Sequence, residues 1–183
     1  MDGEAKRIAV IGTTGSGKTT LARQISKRLG IPHVELDALH WEPNWTEPPV
    51  EVFRKRVSQA LCSDAWVIDG NYSVARDIIW SRADSIVWLD YALPLILWRL
   101  VWRTVRRIIT REELWNGNRE HWQAIFGRDS LIAWALGTHP RHRRDYPVLL
   151  ERPEYAHLSL IRLRSPRETN TWLACLTKDL EGL

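Results

Sequence analysis

The stretch that most constrains this 183-residue chain is Gly12-Thr13-Thr14-Gly15-Ser16-Gly17-Lys18-Thr19-Thr20. Its glycines rule out a regular helix or strand across Gly12 to Gly17. An apolar run, Arg7 to Ile11, precedes it, and a helical pattern, Lys18 to Leu29, follows. The stretch therefore reads as a strand–loop–helix turn whose backbone can approach an anion closely.

Two motifs compete for it. Gly15-Ser16-Gly17 begins like a dinucleotide fingerprint, and Asp37 lies about 20 residues on, where such sites keep a ribose-binding acid. That fingerprint needs a third small residue, and Thr20 stands there. Gly12 to Thr19 fits G-x-x-x-x-G-K-[ST] at every position. In this reading Gly12, Thr13, Thr14, Gly15, Ser16, Gly17 and Thr20 surround the phosphates of a nucleoside triphosphate. Lys18 reaches the β/γ oxygens, and the Thr19 hydroxyl goes to a metal. ATP and Mg²⁺ are the expected ligands.

Five short apolar runs read as strands buried on both faces: Arg7 to Ile11, His33 to Leu36, Ala65 to Ile68, Ser85 to Leu89 and Leu158 to Leu163. Helical patterns cover Lys18 to Leu29, Val50 to Cys62, Pro94 to about Ile109, and Pro166 to Leu176. Alternation of this kind predicts an α/β fold, a parallel sheet with helices on both faces. Its length suits one domain over residues 1–183. Two segments stand outside that core. Ala38 to Pro49 is rich in Trp and Pro and reads as a flap, extending to residue 62 with the helix that follows. Arg103 to Arg152 reads as an Arg-rich helical cover without strands. Trp98, Trp102, Trp115, Trp122 and Trp134 are expected to glue that cover to the core, and Trp66 and Trp88 to lie in buried strands. Trp41 and Trp45 read either as a small cluster with Pro43, Pro48 and Pro49 or as a stacking surface for an acceptor.

Two acids lie where ligands of open α/β sheets bind, at the carboxyl ends of strands. Asp69 ends the third run and is a candidate Mg²⁺ carboxylate. Asp37 ends the second and is a candidate metal ligand or general base. An N-cap or loop acid is the alternative for each. His40 is a weaker candidate base, because a lone His is more often a structural hydrogen-bonder.

Composition narrows the setting. The net charge of +4 and pI of about 9.3 suit an anionic ligand but are too mild to imply nucleic acid. Cys62 and Cys175 are far apart and read as buried or free thiols in a reducing compartment. The first residues mix acids with bases and do not read as a leader. Tyr91 to Trp102, the most apolar stretch, contains Arg99 and is too short to span a bilayer. A cytoplasmic protein without a membrane partner is the expectation.

The loop, together with "LDALHW", "IDGNY" and "IVWLD", resembles the adenylate-kinase-like nucleoside monophosphate kinases, and most of all their FlaR-like branch, the DNA topology modulation proteins. The resemblance covers nearly the whole chain. It implies a five-stranded parallel sheet in order 2-3-1-4-5, an acceptor-side flap and an arginine lid. It also implies that Arg99 stacks on adenine and that Arg103, one turn later, touches phosphates. Arg107, Arg111 or Arg119 would add lid charge, and Arg164-Ser165-Pro166 would lie beside the base. Lys18, Asp37, Arg103 and Arg107 are thus the expected catalytic residues. The pattern departs where the family has Phe-Pro-Arg after Asp-Gly. Here Asn71-Tyr72-Ser73 follows Asp69-Gly70, and the next arginine is Arg76. Arg54 is the one expected phosphate ligand near the short flap. The acceptor is therefore either a nucleotide or a compact metabolite, such as shikimate or gluconate. A regulator that binds DNA through the Arg-rich segment is the alternative, although no helix-turn-helix is recognisable. A switch GTPase is excluded by the lack of an Asn-Lys-x-Asp segment.

Overall fold

The computed structural model describes residues 7–125 and 130–178. Residues 126–129 of the expected cover, and residues 1–6, lie outside them. Five strands form one parallel sheet in the order β2-β3-β1-β4-β5, the order that the resemblance implies. They are β1 (Arg7–Gly12), β2 (His33–Glu35), β3 (Trp66–Asp69), β4 (Ser85–Leu89) and β5 (Ser159–Leu163). Helices α1 (Lys18–Leu29), α2 (Leu36–His40), α3 (Val50–Ala60), α4 (Arg76–Trp80), α5 (Leu93–Thr110), α6 (Leu131–Leu150) and α7 (Pro166–Lys178) connect and cover them.

The two faces of the sheet follow from the two-residue period of a strand. Ile8, Val10, Val67, Val87 and Leu89 point to one face and pack with Leu21, Ala22 and Ile25 of α1 and Leu173 of α7. Ala9, Ile11, Trp66, Ile68, Ile86 and Trp88 point to the other. They pack with Phe53 and Val57 of α3, Ile79 and Trp80 of α4 and Tyr146 of α6. The central strands β1, β3 and β4 are buried on both faces, as their unbroken apolar runs predict. The edges differ from expectation. β2 is half-buried, and Ser159, Leu160 and Arg162 of β5 are exposed, because an edge strand lacks a neighbour on one side.

Three further expectations need correction. Asp37 does not end a strand. The chain turns after Glu35, and Asp37 sits in the first turn of α2. Trp98 and Trp102, at 65% and 66% exposure, face out from α5 and glue nothing among the described residues; Trp122 and Trp134 are exposed as well. Trp115 does tie segments together, donating its indole N–H to Glu35 Oε2 at 2.9 Å. Both cysteines are exposed free thiols, so the buried alternative falls. Trp66 and Trp88 are buried as expected.

Buried charge fixes α6 on the sheet. Asp90, just past β4, accepts from Arg143 Nε of α6 at 2.6 Å and from Arg162 Nη2 of β5 at 2.6 Å. The Arg162 guanidinium also lies 4.3 Å from the centroid of a Trp88 ring. His139 of α6 hydrogen-bonds the Tyr91 carbonyl at 3.0 Å, so α6 is held at two points one helical turn apart.

Candidate active site

The glycine loop joins β1 to α1 in a form that leaves its donors free. Gly17 caps α1 with φ 98°, gives no side-chain cap, and no acid stands in the first turn. The first N–H groups of α1 are therefore open to an anion. Gly15, at φ 82°, lies under α5; a Cβ there would meet Ile96 O and Leu100 Cβ at 2.9 Å. α5 thus closes the outer side of the loop. Ser16 Oγ is buried without a partner. Lys18 Nζ donates to the Thr13 carbonyl at 3.3 Å and, among the described residues, forms no ion pair. Burial pushes the Lys18 pKa down, Asp69 and Asp37 push it back up, and Arg103 adds to the lowering. A buried cation, an orphaned hydroxyl and uncapped amides fit a triphosphate.

Asp69 ends β3 and is 5% exposed. Thr19 Oγ1 donates to its Oδ2 at 2.6 Å, and His33 Nε2 lies 2.7 Å from its Oδ1. Because Thr19 spends its proton on Asp69, its lone pairs are left for a cation, and Asp69 stands behind it. His33 escaped the sequence reading. It opens β2 and reaches Asp69 across the β2–β3 pair.

Asp37 accepts from the Tyr72 hydroxyl at 2.6 Å through Oδ1. Burial and then Asp37 push the Tyr72 pKa far up, so the phenol stays a donor. Asp37 acts electrostatically on both Lys18 and Arg103, which brings α2, the loop and α5 together. Burial, followed by Arg107, lowers the Arg103 pKa; Glu120, Asp37 and Glu112 oppose this. Arg103 Nε is buried without a partner. Asn71 grips the loop from below. Its side chain accepts from Gly12 N at 3.2 Å and donates to Gly12 O.

Other candidates stand farther from this convergence or are committed elsewhere. Arg99 donates to Ser16 O at 3.2 Å and lies 5.3 Å from the Tyr91 ring centroid, beside the loop. Arg107 is paired with Glu120 at 3.0 Å and Glu112 at 3.5 Å. Arg119 is paired with Glu113, and Arg111 is an exposed residue just past α5. Arg54 gives both ends of its guanidinium to Asp77, each at 2.7 Å. The Arg164 side chain is exposed; its backbone N–H donates to Glu168. An open hollow of about 440 Å³ flanks that loop, but Leu163, Ser165 and α7 residues line it and the glycine loop does not. His40 is buried, packs against Trp41, Phe53 and Tyr72, and lies 3.7 Å from Glu47.

The flap and the cover are tied together. Trp45 N donates to Asn118 Oδ1 at 2.9 Å, and Asn118 Nδ2 donates to Glu42 O at 2.9 Å. Asn116 donates to Trp41 O at 2.5 Å, and Trp45 Nε1 to Arg119 O at 3.1 Å. Trp41 and Trp45 meet edge to face, with Trp115 next in line.

Sheet order, loop and flanking helices define the fold of the P-loop kinases. The model of the AAA family, ATPases associated with various cellular activities, matches residues 8–90, the segment that holds the loop, Asp37 and Asp69. Among solved structures, the chain is similar to a shikimate kinase from Bacteroides thetaiotaomicron (16% identity, TM-score 0.54). The likeness covers 97% of this chain and 99% of that one. A gluconokinase from Sinorhizobium meliloti 1021 is similar at 20% identity and TM-score 0.51, covering 97% and 98%. A shikimate kinase from Acinetobacter baumannii, in complex with shikimate, is similar at 16% identity and TM-score 0.54, covering 96% and 93%. A curated relative, the uncharacterized protein YqaC of Bacillus subtilis (strain 168), is 29% identical over 104 residues, or 56% of this chain. The match spans 58% of that relative's length. No helix among the described residues is long and apolar enough to cross a membrane.

Proposed function

We propose that the chain is an ATP- and Mg²⁺-dependent phosphotransferase whose acceptor is a compact metabolite or a nucleotide. The observation that carries this reading is the convergence of Lys18, Arg103 and Asp37 beside the Thr19–Asp69 pair. The kinases similar in fold are named for acting on shikimate and gluconate, both compact and hydroxylated, which favours the metabolite over the nucleotide.

Bound ATP with Mg²⁺ would supply an electrophilic γ-phosphoryl group. The loop amides, Ser16 and Lys18 would hold its phosphates, and Thr19, backed by Asp69, would hold the metal. Asp37 receives the proton of an alcohol acceptor at Oδ2, because Oδ1 is taken by Tyr72. The acceptor oxygen bonds to the γ-phosphorus as the bond to the β–γ bridging oxygen breaks, and the electron pair leaves with ADP. Lys18 and Arg103 neutralise charge on the transferred group, a task of positioning and electrostatics. An acceptor that is itself a phosphate needs no base, and Asp37 then only orients it.

The DNA-binding alternative draws less support. Within the Arg-rich cover, Arg107, Arg119, Arg143, Arg144 and Arg152 already have carboxylate partners. A coupled ATP-consumption assay across nucleoside monophosphates, nucleosides and small sugar acids tests the choice. Acceptor-dependent turnover that disappears in Lys18→Ala is expected. Turnover no higher than that variant's, accompanied by nucleotide-dependent and salt-sensitive DNA retention, would sink it.

A further inference from the structure

Helix α5 carries more apolar surface than one face can bury. Ile96, Leu100 and Thr104, four residues apart, form its inward row and are buried. Arg99, Arg103 and Arg107 form a second row, in which Arg99 reaches the glycine loop and Arg103 faces the charges of the site. A third row remains. Trp98 and Trp102, one turn apart, are about two-thirds exposed, and Ile109 is 70% exposed. Half-buried Leu95 and Val105 flank them. Leu95, Trp98, Trp102, Val105 and Ile109 follow one another at spacings of three, four, three and four residues. That alternation keeps apolar side chains along one line of a helix and is the seam of a coiled coil. A helix that packs on a core needs one apolar stripe, so the second has no use within this fold. Leu100 lies over Gly15, and the tryptophans, two residues to either side of it, point about half a turn away from the loop.

We propose that this outer stripe of α5 is the contact face of a homodimer. A second copy of the chain lays its own α5 antiparallel across it, with Trp98 of each copy against Trp102 of the other. A two-fold axis between those positions makes the contact self-complementary, because each tryptophan pair occurs twice. Leu95 of each copy then meets Val105 of the other.

Charge selects the antiparallel arrangement. Leu93 to Trp98 carry no charge, whereas Arg106 and Arg111 stand exposed at the other end of the helix. Parallel pairing would bring these arginines together. Antiparallel pairing keeps the two Arg106 positions about 18 Å apart along the helix, beyond the ~8 Å over which salt screens exposed charges. It also opposes the two helix dipoles. The available area points to a second copy as well. At their exposure, Trp98 and Trp102 offer roughly 300 Å² per copy. That is about half of the ~600 Å² per copy at which stable interfaces begin. Ile109, the exposed parts of Leu95 and Val105, and the stem of Arg106 lie along the same line to supply more.

Sedimentation velocity of the full chain tests this. A species of twice the 21.3 kDa chain mass is expected at micromolar concentration. Trp98→Glu or Trp102→Glu should raise its dissociation constant by about 30-fold or more, the scale of a central interfacial tryptophan. Far-UV circular dichroism should not change, since both side chains are exposed. Trp134→Glu is the control. Trp134 is as exposed as Trp98 but lies on α6, outside the stripe, and its loss should leave the dimer intact. A chain that stays monomeric up to millimolar concentration overturns the proposal. So does a dimer that Trp134→Glu weakens while Trp98→Glu and Trp102→Glu do not. A monomer that binds phosphatidylcholine–phosphatidylglycerol vesicles, and loses them with Trp102→Glu, would assign the stripe to a lipid surface and overturn it too.

Discussion

A single amide joins the phosphate loop to the end of β3. Asn71 pairs with both the N–H and the C=O of Gly12, so Asn71→Ala strands two backbone groups at once. It should destabilise the chain by about 1–3 kcal/mol and weaken ATP binding, as urea unfolding and nucleotide titration would show. His142 offers a pH-dependent check. Burial first, then Lys18, Arg76 and His139, push its pKa down from 6.5 to about 4, against the opposing pull of Asp145. Between those values the unfolded chain carries a proton on this side chain that the folded chain does not. The contribution is intact above pH 6.5 and is lost as the pH falls toward 4. His142→Gln should flatten the fall of the melting temperature across that window. The residues with direct chemistry in the loop were legible because Lys18 and Thr19 belong to a fixed spacing. His33 and Asn71 were not, since their roles exist only once β1, β2 and β3 lie side by side.

Elements were readable where burial is two-sided and less so at the edges. β1, β3 and β4 stand out as apolar runs, whereas β2 is three residues long and gives way to a helix at Leu36. That helix turns Asp37 toward Tyr72, and nothing in "VELDALH" alone announces it. The tie between flap and cover was invisible for a different reason. Trp45 and Asn118 are 73 residues apart, and no local pattern marks such a pair. Asn118→Ala removes the acceptor for Trp45 N and the donor to Glu42 O. Amide exchange at residues 41–46 should accelerate about 10-fold or more, a loss of at least ~1.4 kcal/mol of local protection. An unchanged exchange rate would mean that the flap holds itself. Gly15→Ala should be harsher, because its Cβ has no room under Ile96 and Leu100 at a positive φ. It should weaken nucleotide binding together with the melting temperature.

At the scale of the molecule, Asp90, just past β4, links two layers, the sheet through Arg162 of β5 and the helical layer through Arg143 of α6. The carboxylate is buried while both arginines keep some contact with water. Asp90→Asn should therefore cost about 1–3 kcal/mol, below the range for a fully buried pair. A calorimetric melt would read it as a lower midpoint. The sheet order followed from the family likeness of the loop and strand ends, not from strand patterns alone, which leave the order of five parallel strands open. The outward tryptophans of α5 show the limit of composition, since a large apolar side chain is as compatible with surface as with core. The central claim concerns where the phosphoryl group goes. Phosphorus NMR of ATP incubated with the protein and each nucleoside monophosphate, nucleoside or small sugar acid follows that directly. A new phosphoester resonance growing in step with ADP, and absent with Lys18→Ala, is the predicted result. Inorganic phosphate as the sole new product, or no change in ATP, would contradict it.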